Sequence, residues 1–218
     1  VGYPDNGDYS LSFDGVDDYT EIFHSNDFSF ETLEQTIQFD IDITLFNENS
    51  GQSEYIITKL DESLGEGCNG QGFDIALEPD RIHFRHWDNN FCAIVLYISL
   101  DYLLQENLNR ITFSTDHEFL KAYVNGVIVD STAITENYQI GKGNAPIFLA
   151  GGFVPGIFLG GLLDNFSMWD IALTESQIQN NLNTELMGDE EGLLGYYKFN
   201  SGSGTTLYDH SGNGNHGT

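Results

Sequence analysis

Positive charge is what this sequence has least of. Seven Lys and Arg face 34 Asp and Glu in 218 residues, a formal net charge of -27. Such a chain repels phosphate backbones and anionic membrane surfaces, which excludes nucleic acid and lipid headgroups as natural partners. Long hydrophobic runs are also missing. The longest, Ala93–Leu100, is interrupted by Ser99 and has the length of a strand, whereas a membrane-crossing helix needs about 18 or more apolar residues. Only two cysteines occur, Cys68 and Cys92. Two thiols cannot build a zinc site alone, and no His pair stands at a finger-like spacing from them. The segment between them reads as two strands, so a Cys68–Cys92 disulfide is expected, with two buried free thiols as the competing arrangement. A bridge there would close a loop of ~25 residues, worth about 3 kcal/mol in the chain-entropy model, and would imply an oxidising compartment. Catalytic signatures are scarce too. No Gly-x-Ser-x-Gly elbow is present, and Gly202-Ser203-Gly204 lacks its strand–helix context. The six histidines are scattered, without a helical His-x-x-x-His pair for a metal.

What is present is short strands between turns. Two Trp and two Met against 24 Gly argue for tight turns over long helices. Residues 36–46 alternate: Ile37, Phe39, Ile41, Ile43 and Leu45 on one face, Gln38, Asp40, Asp42 and Thr44 on the other. Further strands are expected at 9–13, 19–23, 55–59, 72–77, 81–87, 93–99, 110–114, 120–124, 127–130, 147–150, 161–169 and 193–199. Asn125-Gly126 is the dipeptide a two-residue type I′ hairpin demands. One helix is expected, N-capped by Thr174 with Gln177 completing a capping box and ending near Leu186. No linker composition or fixed-period repeat divides residues 1–218, so the pattern predicts one all-β domain: a two-sheet antiparallel β-sandwich or jelly roll with one short helix.

Three segments carry a family resemblance. They are Ser10–Tyr19 with its Asp14-Gly15 turn, Gly160–Trp169 running into Ala172–Ile178, and Gly192–Phe199 followed by Asp209–Gly217. Together with the Tyr123–Val129 hairpin they resemble laminin-G-like domains of the concanavalin A-like lectin/glucanase superfamily, especially those of bacterial surface and secreted proteins. The resemblance bears on fold more than on function, because this superfold hosts lectins, adhesion modules and glycosidases.

The chemistry expected from these residues is binding. Asp14, Asp17 and Asp18 place three carboxylates within five residues at a turn, suited to a hard cation that takes ~6–8 oxygens. The resemblance implies that the strand bearing Asp164 and Asn165 lies near that turn, giving a calcium site built from both ends of the chain. The competing reading is Asp-Gly turn chemistry with a solvated acidic face, useful for solubility in a salty habitat. Asp209–Asn215 is a second acidic loop, better read as a plain turn. Glycosidases of the superfamily carry a Glu-x-Asp-x-(x)-Glu strand, which is absent; Asp40 and Asp42 share a face without a Glu. In Arg81–Trp87, Ile82 and Phe84 should face the core, leaving His83, Arg85 and Trp87 together on the other face as candidates for a glycan. Against this stands the possibility that Trp87 packs under a loop while the arginines neutralise acids. Phe153–Phe158 offers a second, apolar contact loop. The expectation is a non-catalytic, calcium-stabilised, extracellular module that binds a glycan, a cell-surface polysaccharide or a glycoprotein, within a larger chain. A structural spacer and a glycoside hydrolase are its rivals.

Overall fold

The computed structural model describes residues 3–29, 32–46, 52–61, 71–87, 93–104, 107–135, 138, 143–152, 154 and 156–218. Cys68, Cys92 and the Asp88–Asn90 turn lie outside the described residues, as do Phe153 and Pro155 of the apolar loop.

Two antiparallel sheets stack as a sandwich. The first runs β1 (Leu11–Asp14), β12 (Gly160–Trp169), β3 (Gln35–Asp42), β8 (Asn109–Thr115), β9 (Phe119–Val124), β10 (Val127–Ala133), with β13 (Leu193–Tyr197) also on β12. The second runs β2 (Thr20–Ile22), β11 (Ile147–Leu149), β4 (Glu54–Asp61), β5 (Gln71–Glu78), β6 (Arg81–Trp87), β7 (Ala93–Ser99). The first and last strands thus share one sheet, while Gly217 crosses back to bridge Ile22 of the other. Among the described residues, no helix is long and apolar enough to cross a membrane.

The core forms where the alternating apolar faces meet. Ile37, Phe39 and Ile41 of β3 and Ile111 and Phe113 of β8 are buried, and Phe113 stacks on Phe84 of the opposite sheet at 4.8 Å between centroids. Asn125 and Gly126 both take positive φ (49° and 75°), the type I′ geometry that lets β9 and β10 pair with the native twist.

Several expected boundaries move, two of them with a visible cause. β3 ends at Asp42 rather than Phe46, because the Asp42 carboxylate accepts from the Thr44 amide and turns the chain. Leu45 is therefore 60% exposed and not a core residue. The helix α1 (Glu175–Asn180) has its capping box but stops six residues before Leu186. At its end the Asn181 carbonyl, which would continue the helix, accepts from Arg110 instead, and the Asn181 side-chain amide donates to Gln38. A second small cluster, Tyr123, Trp169, Leu173, Ile178, Leu193 and Tyr196, packs this segment onto the outer side of the first sheet. That cover explains why β3 is buried on both faces.

Candidate functional site

The residues expected to bind lie on the outer side of the second sheet, where Arg81 and Tyr97 are exposed and His83 and Asp74 are buried. The two-residue turn Pro79-Asp80 pairs Glu78 with Arg81 and so sets the register of the whole hairpin: Ala76 opposite His83, Asp74 opposite Arg85, Gly72 opposite Trp87. Side-chain alternation then turns Ile82 and Phe84 inward and His83, Arg85 and Trp87 outward. All three converge on Asp74, which has no exposed surface. His83 Nε2 lies 3.0 Å from Asp74 Oδ2, and its Nδ1 faces Glu78 at 2.9 Å. Arg85 donates through Nε (3.1 and 3.0 Å) and Nη2 (2.8 Å). The Trp87 indole donates to Asp74 Oδ1 at 3.2 Å. Burial alone would raise the Asp74 carboxyl; the hydrogen bonds from His83 and Arg85, with the arginine charge, outweigh it and hold the group below its ordinary range.

The result is a fixed aromatic surface. Arg85 lies over the Trp87 ring at 5.7 Å, and Arg81 over the Tyr97 ring at 4.8 Å, with Tyr97 45% exposed. Tyr97 is opposite His83, four residues along β6 from Trp87, so the two rings stand roughly 13 Å apart at ~3.3 Å per residue. Rings at that spacing suit an extended chain of neutral, apolar-faced units. Trp87 is half-buried. The expectation that arginines neutralise acids also describes what is seen: Arg81 pairs with Glu78, Arg85 with Asp74.

Asp74 itself was not among the residues singled out from sequence. The signal was available: a two-residue turn after Glu78 pairs 74 with 85 by counting, and Asp74 is the one acid inside the apolar run Gly72–Leu77.

The expected calcium residues fall in two places. Asp14, Asp17 and Asp18 are exposed and can bring one oxygen each within 4.8 Å of one another. Gly15 between them takes φ +77° against the Gly160 backbone, a tight approach that suits Gly. Beside them a cavity of about 240 Å³ is lined by Asp14, Glu54, Phe158 and Gly160 among others. Burial raises the Glu54 carboxyl, which accepts from the Gly160 amide at 2.9 Å. Tyr19, next to the acidic turn, stacks with Phe158 of the apolar loop at 6.3 Å. Asp164 and Asn165 are elsewhere. Asp14 is in register with Gly160 and Asp164 with Asp40, so four residues of β12, roughly 13 Å, separate the sets. No single calcium ion, with its oxygens at ~2.3–2.6 Å, can take both. The five residues expected as one calcium set fall into two groups, Asp14, Asp17 and Asp18 at the turn and Asp164 and Asn165 along β12. Asp209, in the second acidic loop, is fully buried and accepts from the amides of Tyr196, Ser211 and Asn215, the work of a turn organiser.

Residues 13–179 match the family model Laminin_G_3, described as concanavalin A-like lectin/glucanases superfamily. None of the curated proteins matches the chain. Among solved structures it is similar to a protein of Bacteroides ovatus ATCC 8483 proposed to bind carbohydrate, at 15% identity and TM-score 0.64 over 95% of this chain and 58% of that one. It is similar to the binding domain of Paraclostridial Mosquitocidal Protein 1, at 21% identity and TM-score 0.61 over 80% and 45%. A third is the binding domain of botulinum neurotoxin DC in complex with rat synaptotagmin II, at 17% identity and TM-score 0.56 over 71% and 37%. The chain spans about half the length of these structures, and at such identities the likeness concerns the fold.

Proposed function

This chain belongs to the concanavalin A-like lectin/glucanase superfamily, and we propose that it is a non-catalytic carbohydrate-binding or adhesion module of a secreted or cell-surface protein. The observation that carries this is the set of Trp87, Arg85 and His83 held around the buried Asp74 on the outer side of the second sheet. Neutral sugars offer hydroxyls and apolar ring faces, and an aromatic ring fixed beside planar polar groups meets both without ordering cost at the moment of binding. The partner is a glycan on a cell-surface polysaccharide or glycoprotein. The neighbours whose descriptions name carbohydrate and a protein receptor support a binding role.

Calcium is part of the proposal. The donors of Asp14, Asp17 and Asp18 are all hard oxygens, and their mutual spacing within 4.8 Å is the spread of ligands around one ion with Ca–O distances of ~2.4 Å. These residues would hold the ion and stiffen the turn between β1 and β2. The Asp40–Asp164 pair gives the hydrolase alternative little support. Asp40 lies directly opposite Asp164, but both its oxygens are committed to Arg110, and one also to Asn165, which leaves no free base.

A glycan array probed with the wild type and with Trp87→Ala tests the assignment. The wild type should bind a defined set of oligosaccharides and the variant should lose those that stack on this face, with its melting temperature lowered only modestly because the ring is only half-buried. A wild type that binds no glycan leaves the spacer, and a Trp87→Ala variant that binds the same oligosaccharides equally well takes recognition away from this face.

A further inference from the structure

A cavity lies on the other side of the molecule, under the segment that follows α1. It holds about 460 Å³, within the ~300–1,000 Å³ range of small-molecule sites. Its origin is a break in the first sheet. β12 pairs with β1 up to Leu163 and with β13 from Phe166, so neither Asp164 nor Asn165 has a partner on that edge. On the β3 side the register also shifts between Asp164 and Ser167. Asn165 sits in the left-handed region, φ +48°, in mid-strand, and its side chain is aimed by Asp40 (3.0 Å) and the Tyr196 hydroxyl (3.4 Å). Strained bulges of this kind re-aim side chains at binding sites.

The lining decides what can enter. Arg110 is tied to Asp40 and to the Asn181 carbonyl and Lys198 to Asp5 and Glu185; with Asp8 at the rim, an anion finds no free cation. Lys198 carries one charge against the two of Asp5 and Glu185, and Asp8 also lines the cavity, so carboxylate oxygens remain to accept from hydroxyls, and a cation is the competing occupant. Apolar lining is confined to Leu182 and Leu186. Neutral groups remain unspent as well: the side chains of Asn183 and Thr184, and the hydroxyl proton of Ser167, a residue 2% exposed whose oxygen already accepts from Trp169. Amides and hydroxyls converging on one cavity recognise vicinal hydroxyls.

We propose that this cavity is a second binding site, taking a single neutral sugar ring through Asn165, Ser167, Asn183 and Thr184, separate from the sheet face that carries Trp87. Asp164 fits the same picture. Burial first, then the neighbouring Asp40 and Asp8, pushes its carboxyl up to about 7, which leaves it only partly ionised near neutrality.

The chain has two tryptophans, and the buried indole of Trp169 donates to Ser167 at 3.2 Å, so its ¹H–¹⁵N signal reports this cavity. We would titrate the labelled protein with the methyl glycosides of glucose, galactose and mannose and with N-acetylglucosamine, using glycerol and calcium chloride as separate arms. At least one sugar should shift the Trp169 indole and the Asn165 side-chain amide saturably at millimolar concentration. The shift should survive Trp87→Ala and vanish in Thr184→Phe, which blocks the mouth from an exposed position while the melt stays at the wild-type value. The proposal is overturned if no sugar moves these signals, if glycerol moves them equally, if calcium alone does so, or if folded Thr184→Phe responds like the wild type.

Discussion

Asp74 of the second sheet and Asp164 of the first, the latter opposite the buried Asp40, are handled in opposite ways. Asp74 receives three donors from its own hairpin, two from cationic or imidazole groups, and is held as a carboxylate below its ordinary range. Asp164 receives one hydrogen bond, from the amide of Asn165, faces Asp40 across the strand pair, and is pushed up to about 7. Both are taken from water to a similar depth. The number of donors decides the charge state, not the depth. Asp74 is therefore a hub that fixes its neighbours, whereas Asp164 is a group whose charge the protein suppresses. The exposed Asp14, Asp17 and Asp18 represent a third case, three carboxylates kept in water and close enough to share an ion.

The largest expected effect comes from removing the hub. Asp74→Ala leaves His83, Arg85 and Trp87 without their common acceptor and should cost about 3–5 kcal/mol, as when one partner of a buried pair is deleted. Denaturant unfolding measures it. A loss under about 1 kcal/mol would place Asp74 among ordinary surface ion pairs. Next comes calcium. If the Asp14–Asp18 turn binds it only when folded, a hundredfold excess over Kd adds about 2.7 kcal/mol, so melts in millimolar calcium and in EGTA should differ by several degrees. Coincident melts would return the turn to plain acidic surface. The smallest effect is at Asp164. A carboxyl that holds its proton more tightly folded than unfolded makes folding take up a proton between its ordinary value of 3.8 and about 7. Its contribution is present at low pH and is lost as pH rises through that window. Asp164→Asn should therefore stabilise the protein by on the order of 1–2 kcal/mol above neutrality, under the roughly 4 kcal/mol that the full shift from 3.8 to about 7 implies at ~1.4 kcal/mol per unit, and should make no difference below pH 4. Equal stability of variant and wild type at pH 8 would contradict the contrast between the two aspartates.

How far the sequence foretold this differs by distance along the chain. Alternation marked the strands, Asn125-Gly126 its hairpin and Thr174 with Gln177 the capping box, because each signal is contained in a few residues. The outward placement of His83, Arg85 and Trp87 followed from the same period of two. Asp74 could have been reached from the register that Pro79-Asp80 imposes. The Asp40–Asp164 pair could not, since it depends on two strands joined across more than half the chain. The calcium set was split for the same reason: only the β1–β12 register shows that Asp14 sits opposite Gly160 and not near Asp164. Leu45 was misplaced because the Asp42 side chain, a local cap, ends the strand before the hydrophobic pattern does.

The most direct test follows the Trp87 indole signal in a ¹H–¹⁵N titration with an oligosaccharide that the wild-type protein binds on an array. The indole NH is fixed to Asp74, so a ligand stacking on the ring must perturb it. In the Thr184→Phe background, with the second cavity blocked, the Trp87 signal should shift saturably while Trp169, 2% exposed, stays in place. A glycan that binds with the Trp87 signal unmoved would contradict the account and take recognition away from this face.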